Sequence, residues 1–260
     1  MIIEPDAEVA DHQRERRLGR YAGVAAMVSV LALFAALIVA GNAAPAPATP
    51  QLARGPDSQI ALAKQLHQFH DAEALQTLAL GLKALAFALV VPVVLFLAGA
   101  IRRRRPTTAS LPLLGTVGAI LIIASSAAGF FALSDVADTF VRGGMQTSER
   151  ARHLAASSGF LRVSALAEIL SRVVFAVWLG WASYAAMQSG LLTRFLGVFG
   201  IGAAVAWAFL IPSGETFFVG WLASVGLLAL GWWPGGRPEG WDIQPVQSAR
   251  APGPSGAERP

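Results

Sequence analysis

Two groups of residues in this chain have the types and spacing that chemistry needs. Glu168 and Arg172 stand four residues apart inside an otherwise apolar stretch, so on a helix both project from one face. Charged groups in such a stretch are costly and face a bundle interior or a water-filled cavity. Lys83 lies near the start of another apolar run. Measured back from Met187, Arg172 lies about 22 Å and Glu168 about 28 Å along its helix, and Lys83 falls at comparable depth. We therefore expect a Lys83–Glu168–Arg172 cluster. It can pin helices as an ion pair, with Lys83 snorkelling outward, or it can line a solute or proton pathway. The second group is His67, His70 and Asp71, with His153 further along. His67 and Asp71 are spaced i, i+4 and His70 is adjacent on the same helix surface. Imidazoles with Asp71 or Glu73 as an oxygen ligand suit Zn or Cu. Exposed histidines on an interfacial helix satisfy the same spacing, so it does not by itself specify a metal.

Other chemistry is excluded or weak. Cysteine is absent, which removes disulfides, thiolate metal sites and thiol nucleophiles. There is no His-Glu-x-x-His, no Gly-x-Ser-x-Gly and no phosphate-binding glycine loop with Lys. Ser125, Ser126 and Ser164 read as helix serines bonded to backbone rather than nucleophiles. No catalytic residue and no cofactor is expected.

The elements that position these groups are membrane helices. Of the 260 residues 55% are hydrophobic and 14% charged, against about 25% charged in soluble domains. The apolar residues come in long blocks, which a soluble core does not need. Lys and Arg collect at the block ends instead of on one amphipathic face, so nucleic acid is not expected as a partner and a lipid bilayer is. The preference for Ala, Gly and Arg over Lys points, by association, to a GC-rich bacterial genome.

Read this way, the fold is all-α: a polytopic transmembrane bundle of six spans with a short amphipathic outer helix. Residues 1–20 form a mobile cytoplasmic arm, 21–233 the six-helix membrane domain and 234–260 a disordered cytoplasmic tail. The spans run about 21–40, 78–101, 110–133, 160–187, 195–211 and 217–233. The first is too long for a cleavable signal and reads as an anchor, although the small residues around Ala43 also resemble a cleavage site. Residues 57–76 form the outer helix, with Asp57 as N-cap and an apolar stripe of Leu62, Leu66 and Phe69. It runs on into the second span, which Pro92 should kink. Ser148 is expected to cap a short helix in the second outer segment, 135–158. Gly190 is expected to end the fourth span in the left-handed region.

Orientation follows from the arginines. With an even number of spans both ends lie on one side. The cytoplasmic flanks then hold Arg14, Arg16, Arg17, Arg20, Arg102, Arg103, Arg104, Arg105, Arg194 and Arg237, against Arg54, Lys64, Arg142, Arg150, Arg152 and Arg162 outside. Arg102, Arg103, Arg104 and Arg105 also suit anionic lipid head groups. Trp178, Trp181 and Tyr184, with Trp232 and Trp233, fit interfacial aromatic belts. Gly200 and Ala204 form a small-xxx-small motif expected to meet the sixth span, with homo-oligomer contact as the alternative.

The chain resembles a group of bacterial six-span integral membrane proteins classed as a domain of unknown function. The resemblance covers roughly residues 20–245. It rests on Phe69-His70-Asp71, the basic stop after the second span, Ser189-Gly190-Leu191-Leu192-Thr193-Arg194-Phe195-Leu196-Gly197, and Trp233-Pro234-Gly235-Gly236-Arg237-Pro238 with Trp241. It implies fold and a plasma-membrane location and carries no activity. The expected function is a non-catalytic structural, sensory or accessory membrane component. The alternative is a small-solute or ion transporter using Lys83, Glu168 and Arg172.

Overall fold

The computed structural model describes residues 5–43, 56–105, 109–144, 147–209, 214–234 and 238, with side chains from residue 17 in the first of these segments and from residue 62 in the second. The Pro/Ala linker after Asn42, the side chain of Asp57, the loop around Pro212 and nearly all of the tail lie outside the described residues. Within them the chain forms eight helices and no strand: α1 (Pro5–Asn42), α2 (Pro56–Asp71), α3 (Glu73–Arg104), α4 (Leu111–Arg142), α5 (Ser148–Ser157), α6 (Gly159–Gln188), α7 (Arg194–Ala208) and α8 (Gly214–Leu230).

Four of these are long and apolar enough to cross a membrane: Arg17–Asn42 of α1, then α3, α4 and α6. The helix α1 begins at Pro5, so residues 5–20 are helical and continuous with the first span. Their Ala, Glu and Arg content favours helix, and Pro is tolerated in the first turn. Likewise α4 runs to Arg142, nine residues past the expected end of the third span. Nothing in Ser134-Asp135-Val136-Ala137-Asp138 breaks a helix, so the chain stays helical beyond its apolar run. The helices α7 and α8 are apolar but shorter, at 15 and 17 residues. The structure thus shows a helical membrane bundle with four long spans.

Neighbouring helices form a closed ring. In order round it come α1, α3, α4, α6, α7 and α8, and α8 packs back on α1. Small residues and hydroxyls allow these approaches, as expected where lipid supplies no hydrophobic drive between helices. Ser29 Oγ donates to Ala86 O at 2.9 Å between α1 and α3, and Ser125 and Ser171 hydroxyls meet at 2.9 Å between α4 and α6. Gly200 faces both α6 and α8, where an added Cβ would strike Ser183 Oγ and Trp221 Nε1. The small face of α7 therefore serves two neighbours, α6 as well as the expected α8. Gly190 has φ +70° and closes α6 as anticipated.

The middle of the ring is filled by rings from four helices: Phe87 of α3, Phe175 and Trp178 of α6, Trp207 of α7, and Phe218 and Trp221 of α8. Phe218 lies 5.2 Å from Phe175, 5.3 Å from Trp207 and 6.0 Å from Phe87, centroid to centroid. Each such pair adds about 0.5–1.5 kcal/mol beyond burial. Trp178 is 1% exposed and belongs to this plug, not to an interfacial belt, whereas Trp181 and Tyr184 face outward at 38% and 48%.

The helices α2 and α5 sit over one end of the ring, against the C-terminal end of α4. The stripe of Leu62, Leu66 and Phe69 is buried there among Val136, Ala137, Phe140, Ala151 and Ala155. Thr147, not Ser148, caps α5: its Oγ1 accepts from Arg150 N at 3.3 Å. Either hydroxyl suits an N-cap, and Thr147 has the extended backbone the position requires.

Candidate functional site

Beneath the α2–α5 cap the ring is not filled. A cavity of about 340 Å³ lies between α1, α2, α3, α4, α6 and α8. It is bounded by the cap-side halves of these helices, from Leu33 to Ala40 of α1, Gln76 to Lys83 of α3, Ser125 to Leu133 of α4 and Leu161 to Glu168 of α6. Helix direction alternates round this part of the ring, so the end of α1, the start of α3, the end of α4 and the starts of α6 and α8 meet at one level. Most of the wall is apolar. The polar groups are Lys83, Glu168 and Glu215, with Gln76, Ser125, Ser126 and Ser164.

Lys83 and Glu168 line the same cavity, at the shared depth expected of them. Glu168 pairs with Arg172 as expected, but the ion-pair partner of Lys83 differs. Lys83 Nζ meets Glu215 Oε1 at 3.4 Å, so it bonds α8 and not Glu168. Arg172 Nη2 bonds Glu168 Oε1 at 2.6 Å along α6. The Arg172 guanidinium also lies 6.0 Å from the Trp207 ring, within cation–π range, where the chamber gives way to the aromatic plug. The ion pairs are partly exposed: the side chains of Lys83 and Glu215 are 27% and 30% exposed, those of Arg172 and Glu168 21% and 42%.

Glu215 is the site residue that sequence reasoning misses. Hydropathy puts it in a tight outer turn before a span beginning at Phe217. In fact α8 starts at Gly214, which puts Glu215 in its first turn, where the helix dipole favours an acid. The signal that could have found it is the acid directly ahead of the apolar run, since Asp and Glu are enriched in the first turn of a helix. Ser125 and Ser164 behave as expected of helix serines, donating to Ile122 O at 3.2 Å and Leu161 O at 3.0 Å.

His67, His70 and His153 lie in and around the cap. His70 Nδ1 meets Asp138 Oδ1 at 2.9 Å, and Arg142 bonds the other oxygen of that carboxylate at 3.0 Å. Ser134 donates to Glu73 at 2.9 Å one turn below. His67 packs edge-on to Phe140, 5.4 Å between ring centres, while Asp71 and His153 are exposed. Among the described residues no three His, Asp or Glu side chains are grouped to hold a metal. What His70 does is join α2 to α4.

Arg102, Arg103, Arg104 and Arg105 are at the other end of the ring. Arg105 donates to Gln188 at 3.4 Å, and Arg104 to Ala100 O at 2.8 Å. Arg17 and Arg20 within α1 and Arg194 at the start of α7 are exposed at that same level. A basic rim and a capped chamber thus occupy opposite ends of one bundle.

Ring, plug and chamber define an α-helical polytopic membrane protein. No family model, no curated protein and no solved structure matches the chain.

Proposed function

We propose that this is a six-span, non-catalytic protein of the bacterial plasma membrane that takes a small polar solute into the chamber under its cap and acts as a carrier for it. The observation that carries this reading is the cavity itself, which reaches Lys83, Glu168 and Glu215 together. A cavity of this size is at the lower end of small-molecule sites, and an apolar wall with a few convergent polar groups is their usual make-up. Intramembrane charges beside such a space mark solute pathways. Below it the aromatic plug closes the way, as in a carrier resting open to one side.

Six spans are supported by the ring, in which α7 and α8 are full members beside four long helices. At about 22 and 26 Å they come close to the hydrocarbon thickness of a bilayer. The basic rim supports both termini in the cytoplasm, which turns the cap and chamber outward. The resemblance to bacterial six-span membrane proteins agrees with this frame.

The natural lack of cysteine gives a direct test. Ser126→Cys places one thiol on the chamber wall. In right-side-out vesicles it should react with a membrane-impermeant cationic thiosulfonate. Reaction only after permeabilisation places the chamber on the wrong side, and no reaction at all means that it is closed to solutes. A second reading, a purely structural or sensory component, is favoured by the plug and by the two ion pairs, which tie α3 to α8 and brace α6. It predicts no solute protection of that thiol.

A further inference from the structure

Lys83, Glu168 and Glu215 line the chamber, and Arg172, paired to Glu168 but not on the wall, brings the local charges to two of each sign. A ligand with a single charge would enter a low-dielectric space without a counter-ion, which is costly. A ligand with one charge of each sign brings no net charge.

The four groups also keep unused bonding capacity of both kinds. Arg172 and Glu168 are tightly joined at 2.6 Å, but only through Oε1. Glu168 Oε2 has no partner among the described residues. The Lys83–Glu215 contact, at 3.4 Å, is longer than the roughly 2.7–2.9 Å of a charge-assisted bond. An ammonium has three donors, so Lys83 retains two N–H groups without a partner among the described residues. The chamber therefore offers donors at Lys83 and acceptors at Glu168 and Glu215, with Leu33, Leu80, Phe130 and Leu133 as apolar wall.

We propose that the solute is an amino-acid-sized zwitterion with an apolar body, its carboxylate taken by Lys83 and its ammonium by Glu168. This rests on the chamber being a solute site, as proposed above. The full chain in lipid nanodiscs is titrated calorimetrically with leucine, leucine amide and isocaproate, which carry both charges, the positive alone and the negative alone. Leucine should bind, and each single-charge analogue should bind at least about ten-fold more weakly. Lys83→Met should cost leucine at least about ten-fold and turn the preference towards leucine amide. The ligand comparison needs no variant, so it decides the matter even where Lys83→Met fails to fold. Equal or tighter binding of either analogue overturns the zwitterion and leaves the chamber as a solute site. Binding of none of the three, while Ser126→Cys still labels from outside, also overturns the zwitterion alone. Binding of none together with an unreactive thiol overturns both.

Discussion

Arg172 is held on one side by Glu168 and on the other by the face of Trp207, so its charge is matched once along α6 and once from α7. Removing Glu168 leaves a guanidinium at 21% exposure without its carboxylate. A fully buried pair broken this way costs about 3–5 kcal/mol, and screening at a partly exposed pair lowers that to about 1–2 kcal/mol. Glu168→Gln should therefore lower the unfolding midpoint in mild detergent. Glu215→Gln breaks a longer contact between groups about 30% exposed and should cost under about 1 kcal/mol. Equal losses for the two variants in the same denaturation assay would contradict this ranking. The contrast separates two roles: Arg172–Glu168 braces α6 against the plug, and Lys83–Glu215 is the contact with room to exchange partners.

At the scale of the helix, α7 depends on the absence of side chains. Gly200→Val would place methyl groups on Ser183 and Trp221 at once, overpacking that we expect to cost about 1–3 kcal/mol and to lower the yield of folded protein. The cap makes a different prediction. Leu66→Ala empties a fully buried position in the α2 cluster and should cost about 2–4 kcal/mol locally. Faster hydrogen exchange in α2 and α5, with the ring unchanged, is the expected result. These helices are largely legible in the residues themselves. Leu62, Leu66 and Phe69 show the 3.6-residue period, and four of the six apolar blocks read as spans are the four long helices. Pairing across distance is not legible. Lys83 and Glu215 are 132 positions apart, and nothing in either segment names the other. Boundaries are a second gap. Hydropathy begins α8 at Phe217, because an apolar scale does not see that Gly214 and Glu215 are already helical. Trp178 is misplaced by its sequence position, because an aromatic near a helix end looks alike whether it turns to lipid or to the ring's centre.

For the whole molecule, the basic rim sets the frame in which chamber and cap have an outside. Replacing Arg102, Arg103, Arg104 and Arg105 with Ala would leave the flanking positive charges evenly divided between the two sides. We expect a mixed-orientation population, read by impermeant labelling of a cysteine placed at His153. A single orientation retained in full would show that other helices set the topology. The ring has one further property. It closes where α8 meets α1: an added Cβ on Gly23 would lie 2.8 Å from the Leu230 side chain, and one on Gly226 would lie 3.0 Å from Ala26. The helix α1, made before α8, thus waits for it to complete the ring. Until then its flank at Gly23 and Ala26 faces lipid, and Lys83 has yet to receive Glu215. A nascent chain stalled before Gly214 is an open stave row, unpacked on its unfinished edge and carrying an unmatched lysine.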